Sequence, residues 1–443
     1  MKKNKKIVFG ILTVISLLIL LPFFIPVRSL LNQVEQMATQ QLGVPVQIGD
    51  GRLSLLPTPR VILKDVIVGK QDLQFSQIQA VPDIASLLAS TKVLAIHIKQ
   101  LKLQKSALDL ASALSNQKVA ENQGASPVHV RQIAIDALQL DWPGMKLPTL
   151  TLALNLDVNH AMESAQIETQ DGKVTLDVKP DGRSHRIALR AEKFTMPAGL
   201  PLLVDQATVD MQLKDQVLDI GNIDVSMYQG KINGSMRVMW DKNWRMQGQL
   251  KVARLSLQQP SRIISPKVYL SGALQSQGNF SAAAKDASKL ADHLRADFKF
   301  SVNEGVLHGL DLVKIASLLT KQSISGQTQF DEFTGAINVT GKQYHLRDLK
   351  IRSGLLVGTG QVKIMPNDAL DGTAEVELKN SASLVAIPLD ISGSVSDPLV
   401  LPSKAALAGA VAGTAVLGPG LGTSLGMKAG TAVEKFKGLF GGD

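Results

Sequence analysis

Cysteine is absent from this 443-residue chain. Its absence excludes a disulfide framework, a thiolate metal site and a cysteine nucleophile. Aromatic residues are scarce, 4% against 45% apolar residues in all, so the apolar content is aliphatic. Stacking platforms for bases are correspondingly few. Histidines are thinly spread. His97, His129, His160, His185, His293, His308 and His345 include no H-E-x-x-H and no i,i+4 pair, the spacings that would bring two imidazoles onto one metal. No glycine-rich phosphate fingerprint occurs. The formal net charge is +9, which fits a solvated basic surface or attraction to anionic lipid. The basic residues are not interleaved with aromatics, which argues against nucleic acid as a partner. One string, Gly422-Thr423-Ser424-Leu425-Gly426, matches a nucleophile elbow. That motif needs a buried strand before its serine, and here it follows Gly418-Pro419-Gly420 in an Ala/Gly-rich tail, so it is read as coincidence. The expectation is a protein without catalytic residues, metal or cofactor, and not an enzyme.

Long apolar runs are missing as well, with one exception. Lys2, Lys3, Lys5 and Lys6 precede an uncharged stretch from Ile7 to Val27. About 20 apolar residues cross a hydrocarbon core as a helix. The lysine flank stays on the cytoplasmic side, which sends everything after Arg28 across the membrane. A cleaved signal peptide would carry a shorter apolar core and a small-x-small site. Here the run ends Leu21-Pro22-Phe23-Phe24-Ile25-Pro26-Val27, so an uncleaved anchor is predicted.

Beyond the anchor, Arg28 to Leu42 has helical periodicity, and Gly43 suits its stop. Then the period changes to two. Val46 and Ile48 alternate with polar neighbours, Gly49-Asp50-Gly51 is read as a turn, and Leu53 and Leu55 resume the alternation. Val61, Leu63, Val66 and Val68 predict one or two more strands, and a short helix is expected from Pro82 to Ala89. Leu150, Leu152, Leu154 and Leu156, with Val158, form the cleanest alternation. Val174 and Leu176 repeat it, as do Val209, Met211 and Leu213, then Val225, then Met236 and Val238. Asp171-Gly172, Asp181-Gly182, Asn233-Gly234 and Asp371-Gly372 are read as the turns between strands. One apolar and one polar face per strand marks a sheet wet on one side. The chain is therefore predicted to be mainly β, an elongated antiparallel sheet with few short helices. Ser281 to Leu294 is expected to be helical.

The predicted division is an anchor at 1–27, a region at 28–114, a linker at 115–127, a central β region at 128–294, a further β region at 295–400 and a helical Ala/Gly-rich tail at 401–443. The tail is uncharged from Ala405 to Met427, with small-xxx-small spacing at Gly409/Gly413 and Gly422/Gly426. Val433, Phe436, Leu439 and Phe440 beside Lys435 and Lys437 suit contact with a membrane surface.

Gly51-Arg52-Leu53-Ser54-Leu55-Leu56-Pro57-Thr58-Pro59-Arg60-Val61, followed by Val81-Pro82-Asp83-Ile84-Ala85-Ser86-Leu87-Leu88, resembles the AsmA family. Gly305-Val306-Leu307-His308-Gly309-Leu310-Asp311-Leu312, Gly326-Gln327-Thr328-Gln329-Phe330, Gly358-Thr359-Gly360-Gln361-Val362, Pro388-Leu389-Asp390-Ile391-Ser392-Gly393-Ser394-Val395 and Asp397-Pro398 resemble its C-terminal region. Residues 120–280 are similar only in strand character. The resemblance implies a strongly bent antiparallel sheet whose concave side is an apolar groove. It implies phospholipid or another acyl-chain lipid as the partner, the bacterial inner membrane as a single-pass location with the bulk periplasmic, and a role in outer-membrane biogenesis. The groove candidates are then Leu150, Leu152, Leu154, Leu156, Val174, Leu176, Val209, Met211, Leu213, Val225, Met236 and Val238. The alternative is an anchored scaffold that modulates outer-membrane protein assembly, or protein targeting to the membrane, through contacts with other envelope proteins.

Overall fold

The computed structural model describes residues 27–104, 106–107, 128–141, 147–197, 199–317, 326–379 and 386–408. The anchor except Val27, the 115–127 linker, the elbow-like string and the tail residues Val433, Phe436, Leu439 and Phe440 lie outside them. Among the described residues no helix is long and apolar enough to cross a membrane. The chain divides into two compact units, Met1–Glu192 with Met196–Pro201, and Lys193–Thr195 with Leu202–Asp443.

The protein is mainly β, as its period-two pattern predicts. In unit 1, helix α1 (Val27–Leu42) is followed by β1 (Val46–Ser54), β2 (Arg60–Val68), β3 (Leu73–Pro82), β4 (Lys92–Ile98), β5 (Leu101–Gln104), β6 (Val128–Asp141), β7 (Leu150–Leu156), β8 (Met162–Thr169), β9 (Val174–Asp181) and β10 (Ser184–Thr195). Strands β1, β2 and β3 pair in order, and β6 to β10 form an antiparallel meander. Between them the order changes. Strand β3 pairs with both β4 and β5, and these pair in parallel with β6. The sheet is therefore not antiparallel throughout. A parallel pair cannot be closed by a tight hairpin, and residues 105–127 separate β5 from β6.

Unit 2 is a longer meander: β11 (Leu203–Lys214), β12 (Val217–Met227), β13 (Gly230–Trp240), β14 (Trp244–Ser256), β15 (Tyr269–Ala284), β16 (Arg295–His308), β17 (Gln327–Thr340), β18 (Gln343–Arg352), β19 (Leu356–Ile364), β20 (Leu370–Leu378), β21 (Ala386–Ser394) and β22 (Asp397–Pro402). Each pairs antiparallel with the next. Two short helices, α2 (Gln258–Ile264) and α3 (Leu312–Ala316), lie in its connections.

Several local expectations are corrected. Gly49-Asp50-Gly51 does not turn the chain but runs inside β1. Gly51 faces α1 so closely that an added Cβ would lie 2.6 Å from Leu31 Cδ2. The helix expected from Pro82 is a 3₁₀ turn, Ile84–Leu88, because Asp83 caps it by accepting from Ala85 N at 3.0 Å. Pro82 instead ends β3. Asn233-Gly234 and Asp371-Gly372 lie within β13 and β20. Their glycines serve close packing, since an added Cβ at Gly234 would meet Leu250 Cδ2 at 2.6 Å and one at Gly372 would meet Gln361 O at 2.5 Å. Asp171-Gly172 and Asp181-Gly182 do turn, with φ of 68° and 63° at the glycines. Val158 falls past the end of β7 and is 79% exposed. Ser281–Ala284 extends β15, and only the 3₁₀ turns Ala287–Lys289 and Ala291–His293 follow.

Candidate functional site

Directly paired residues on neighbouring strands project from the same face of a sheet. In unit 1 this rule assembles long apolar rows. Leu63, Ile78, Ile98, Ile135, Leu152, Ile167, Leu176 and Leu189 pair in succession from β2 to β10. Val61, Ala80, Ile96, Ile133, Leu154, Ala165, Val178 and Ile187 form a second row beside it. Seven strand spacings of about 4.8 Å make each row roughly 34 Å long. Leu150 joins the same face opposite Leu138, Leu156 opposite Met162, and Val174 opposite Ala191.

Burial along this face is graded. Ile98, Leu101, Ile135 and Leu138 are buried where β4, β5 and β6 meet. Helix α1 covers another stretch, with Ala38 and Leu42 packed against Val46, Val66 and Val68. The candidates Leu150, Leu152, Leu154, Leu156, Val174 and Leu176 are all only half-buried. No second sheet faces them among the described residues of the unit. The opposite face mixes polar side chains with alanine, as in the row Gln79, His97, Ala134, Ala153, Gln166, Asp177 and Ala188.

In unit 2 the remaining candidates also share rows. Met211 aligns with Ile220 and Met236, Leu213 with Leu218 and Val238, Val209 with Ile223, and Val225 with Ala207 and Ile232. These six are half-buried too. Further along, glycines alternate with large side chains. An added Cβ at Gly248 would lie 2.6 Å from Phe280 Cζ, and one at Gly278 would lie 2.6 Å from Phe298 Cγ. The C-terminal strands are different. Val302, Ile315, Leu356, Val376 and Leu389 form a closed core, with Leu356 at 0% and Leu389 at 1% exposure. Helix α3 supplies Leu312, Ile315 and Ala316 to it, and Ala406 closes it further.

Sequence reasoning found the strands that carry half of each row. It missed the partner positions Ile133, Ile135 and Ile167, because pairing order is not written in alternation. The closed core was missed for the same reason. Among the described residues no three His, Asp or Glu side chains gather as a metal would require.

One hollow of unit 2 is flanked by polar side chains. A trough of about 870 Å³ in unit 2 is lined by Arg237, Gln247, Gln249, Asn279, Arg295 and Asp297, and between them by Ile220, Met236, Phe280 and Val339; the polar side chains alternate with this apolar row and so project from the face opposite to it.

Residues 85–341, more than half of the chain, match the family model described as AsmA family. The match spans the centre, where the sequence had shown strand character alone. The Gly51–Val61 and Gly358–Pro398 strings lie outside it. No curated protein matches the chain.

Proposed function

The chain belongs to the AsmA family, and from that premise we propose that the apolar sheet face binds or conducts phospholipid acyl chains in outer-membrane biogenesis. On this reading Ile7–Val27 holds the protein in the bacterial inner membrane, the bulk is periplasmic, and no catalytic step is involved. The observation that supports it best is the pair of unbroken apolar rows in unit 1, half-buried at Leu152, Leu154 and Leu176 with no second sheet over them among the described residues. A closed protein core would leave such side chains dry. Acyl chains need no polar anchor and no aromatic cage. About sixteen methylenes, half covered, would gain on the order of 6 kcal/mol at ~0.8 kcal/mol per fully buried CH₂.

The test is a photo-crosslinking side chain at Leu154 in the full chain, in cells, with the same probe at Gln166 on the polar face. A lipid adduct from Leu154 and none from Gln166 is expected. Adducts only with other proteins from Leu154 would replace this reading with the anchored scaffold. Reporter fusions at Gly124 should score as exported; a cytoplasmic signal there would overturn the topology.

A further inference from the structure

The polar face of unit 2 carries features that lipid binding leaves unused. Register aligns Ser235, Gln249, Asn279, Asp297 and Asn338 across β13 to β17. Gln247, Ser281 and Arg295 flank this row on one side, and Lys251, Gln277 and Lys299 on the other. The 870 Å³ trough shares Gln249, Asn279 and Asp297 with a second hollow of about 580 Å³ that reaches Lys251, Gln277 and Lys299. The two hollows lie side by side on either side of that shared row and together make up the trough.

Its charges are unbalanced in a specific way. Both acidic side chains that line it are already engaged. Asp219 pairs with Arg237, and Asp297 accepts from Asn338 and pairs with Arg347 at 3.5 Å. Among the described residues, Lys251, Arg295 and Lys299 have neither an ion pair nor a side-chain hydrogen bond. Three free cations thus surround a strip of primary amides. An amide both donates and accepts, which matches hydroxyl groups that do the same. The aromatic residue that lines the trough, Phe280, belongs to the apolar row and alternates with the polar side chains, so stacked bases find no platform on the polar side. The trough is too shallow to enclose a small anion. A ligand must gain its contacts by lying along several strands.

We propose that this trough is a second binding site, for an anionic oligosaccharide. Acidic groups on the sugar chain pair with Lys251, Arg295 and Lys299, while its hydroxyls bond to Gln247, Gln249, Gln277 and Asn279. The site is independent of the apolar face.

The test uses the full chain in detergent, with dextran sulfate as the probe and neutral dextran and inorganic polyphosphate as comparisons. The wild type should prefer dextran sulfate to both. The exposed triple variant K251Q/R295Q/K299Q should bind it at least about tenfold more weakly, because bonds to charged groups are among the stronger ones. The pair Gln249→Ala and Asn279→Ala should keep binding to polyphosphate and lose the preference for dextran sulfate. Lipid adducts from Leu154 should be unchanged in all of them. Equal affinity of the wild type for polyphosphate, or unchanged binding by the triple variant, would overturn the proposal without touching the lipid reading.

Discussion

The apolar face of unit 1 and the C-terminal end of unit 2 are built from the same alternating strands, yet one is half-open and the other dry. The difference lies in what is laid on the face. Strands β16 to β22 receive helix α3 and Ala406, and their inward side chains reach 0–1% exposure at Leu356, Val376 and Leu389. Among the described residues, unit 1 receives α1 at one stretch only, and β7 to β9 are half-covered. Alternation makes an apolar face; a separate covering element makes a core. A protein that keeps both holds a rigid, close-packed region for stability and a soft apolar surface available to something else.

A buried charge should separate the two most strongly. Leu389→Asp places an unpaired carboxylate in a dry core, at a cost of several kcal/mol. We expect the cooperative melting transition of unit 2 to be lost. Leu154→Asp sits where its side chain can hydrate, so the protein should fold and lose only its lipid adducts. Equal unfolding by both would show that the unit 1 face is closed in solution.

Truncation should rank next. Ile315 is the α3 side chain most deeply seated in the core, at 1% exposure. Ile315→Ala should cost ~2–5 kcal/mol by leaving a cavity, and Leu152→Ala roughly half as much, as read from denaturant midpoints. If the two costs match, α3 does not seal the closed end.

Glycine substitution probes a subtler contrast. The apolar rows of β6 to β9 contain no glycine, whereas β13 to β16 set large side chains over glycines. A Cβ at Gly278 would lie 2.1 Å from Asp297 O, and a backbone atom cannot swing aside. Gly278→Ala should destabilise by ~1–3 kcal/mol through overpacking, whereas Gly182→Ala, with open space around it, should cost only the strain of its positive φ. Thermal shifts of both variants provide the check.

Much of this fold was legible because its signals are local. The two-residue period located the strands, Gly43 ended α1 with φ 67°, and Asp171-Gly172 and Asp181-Gly182 turned as their residue types demand. The failures share one physical origin. A glycine in a strand looks the same in sequence whether it turns the chain or lets Leu250 lie across it. The β12–β13 hairpin turns through Tyr228 and Gln229 at φ 46° and 63°, residues that carry no turn signal. The parallel pairing of β4 and β5 with β6 depends on contacts distant in sequence. The groove positions were found strand by strand, but the register that joins Leu152 to Ile167 and Leu176 came only from the structure.

The smallest effect concerns how that register is held. Where a face is half-open, packing specifies register weakly, so the turn must contribute. At the β8–β9 hairpin the buried Thr169 hydroxyl donates to Asp171 Oδ1 at 2.6 Å and accepts from Val174 N at 3.1 Å. The Thr169 hydroxyl, and then Lys173, hold the Asp171 carboxyl down at about 2. A carboxylate depressed on folding stabilises the fold above its ordinary value of about 3.9, and that stabilisation fades as pH falls through about 2. Because Asp171 is exposed, the effect on stability should be slight, and titration is the sharper readout. Thr169→Val removes the largest cause and should raise the Asp171 value toward the ordinary one in a carboxyl-carbon NMR titration, with amide shifts moving at Val174. A titration that stays at about 2 in the variant would assign the effect to Lys173 and leave the half-open face without this turn as its clamp.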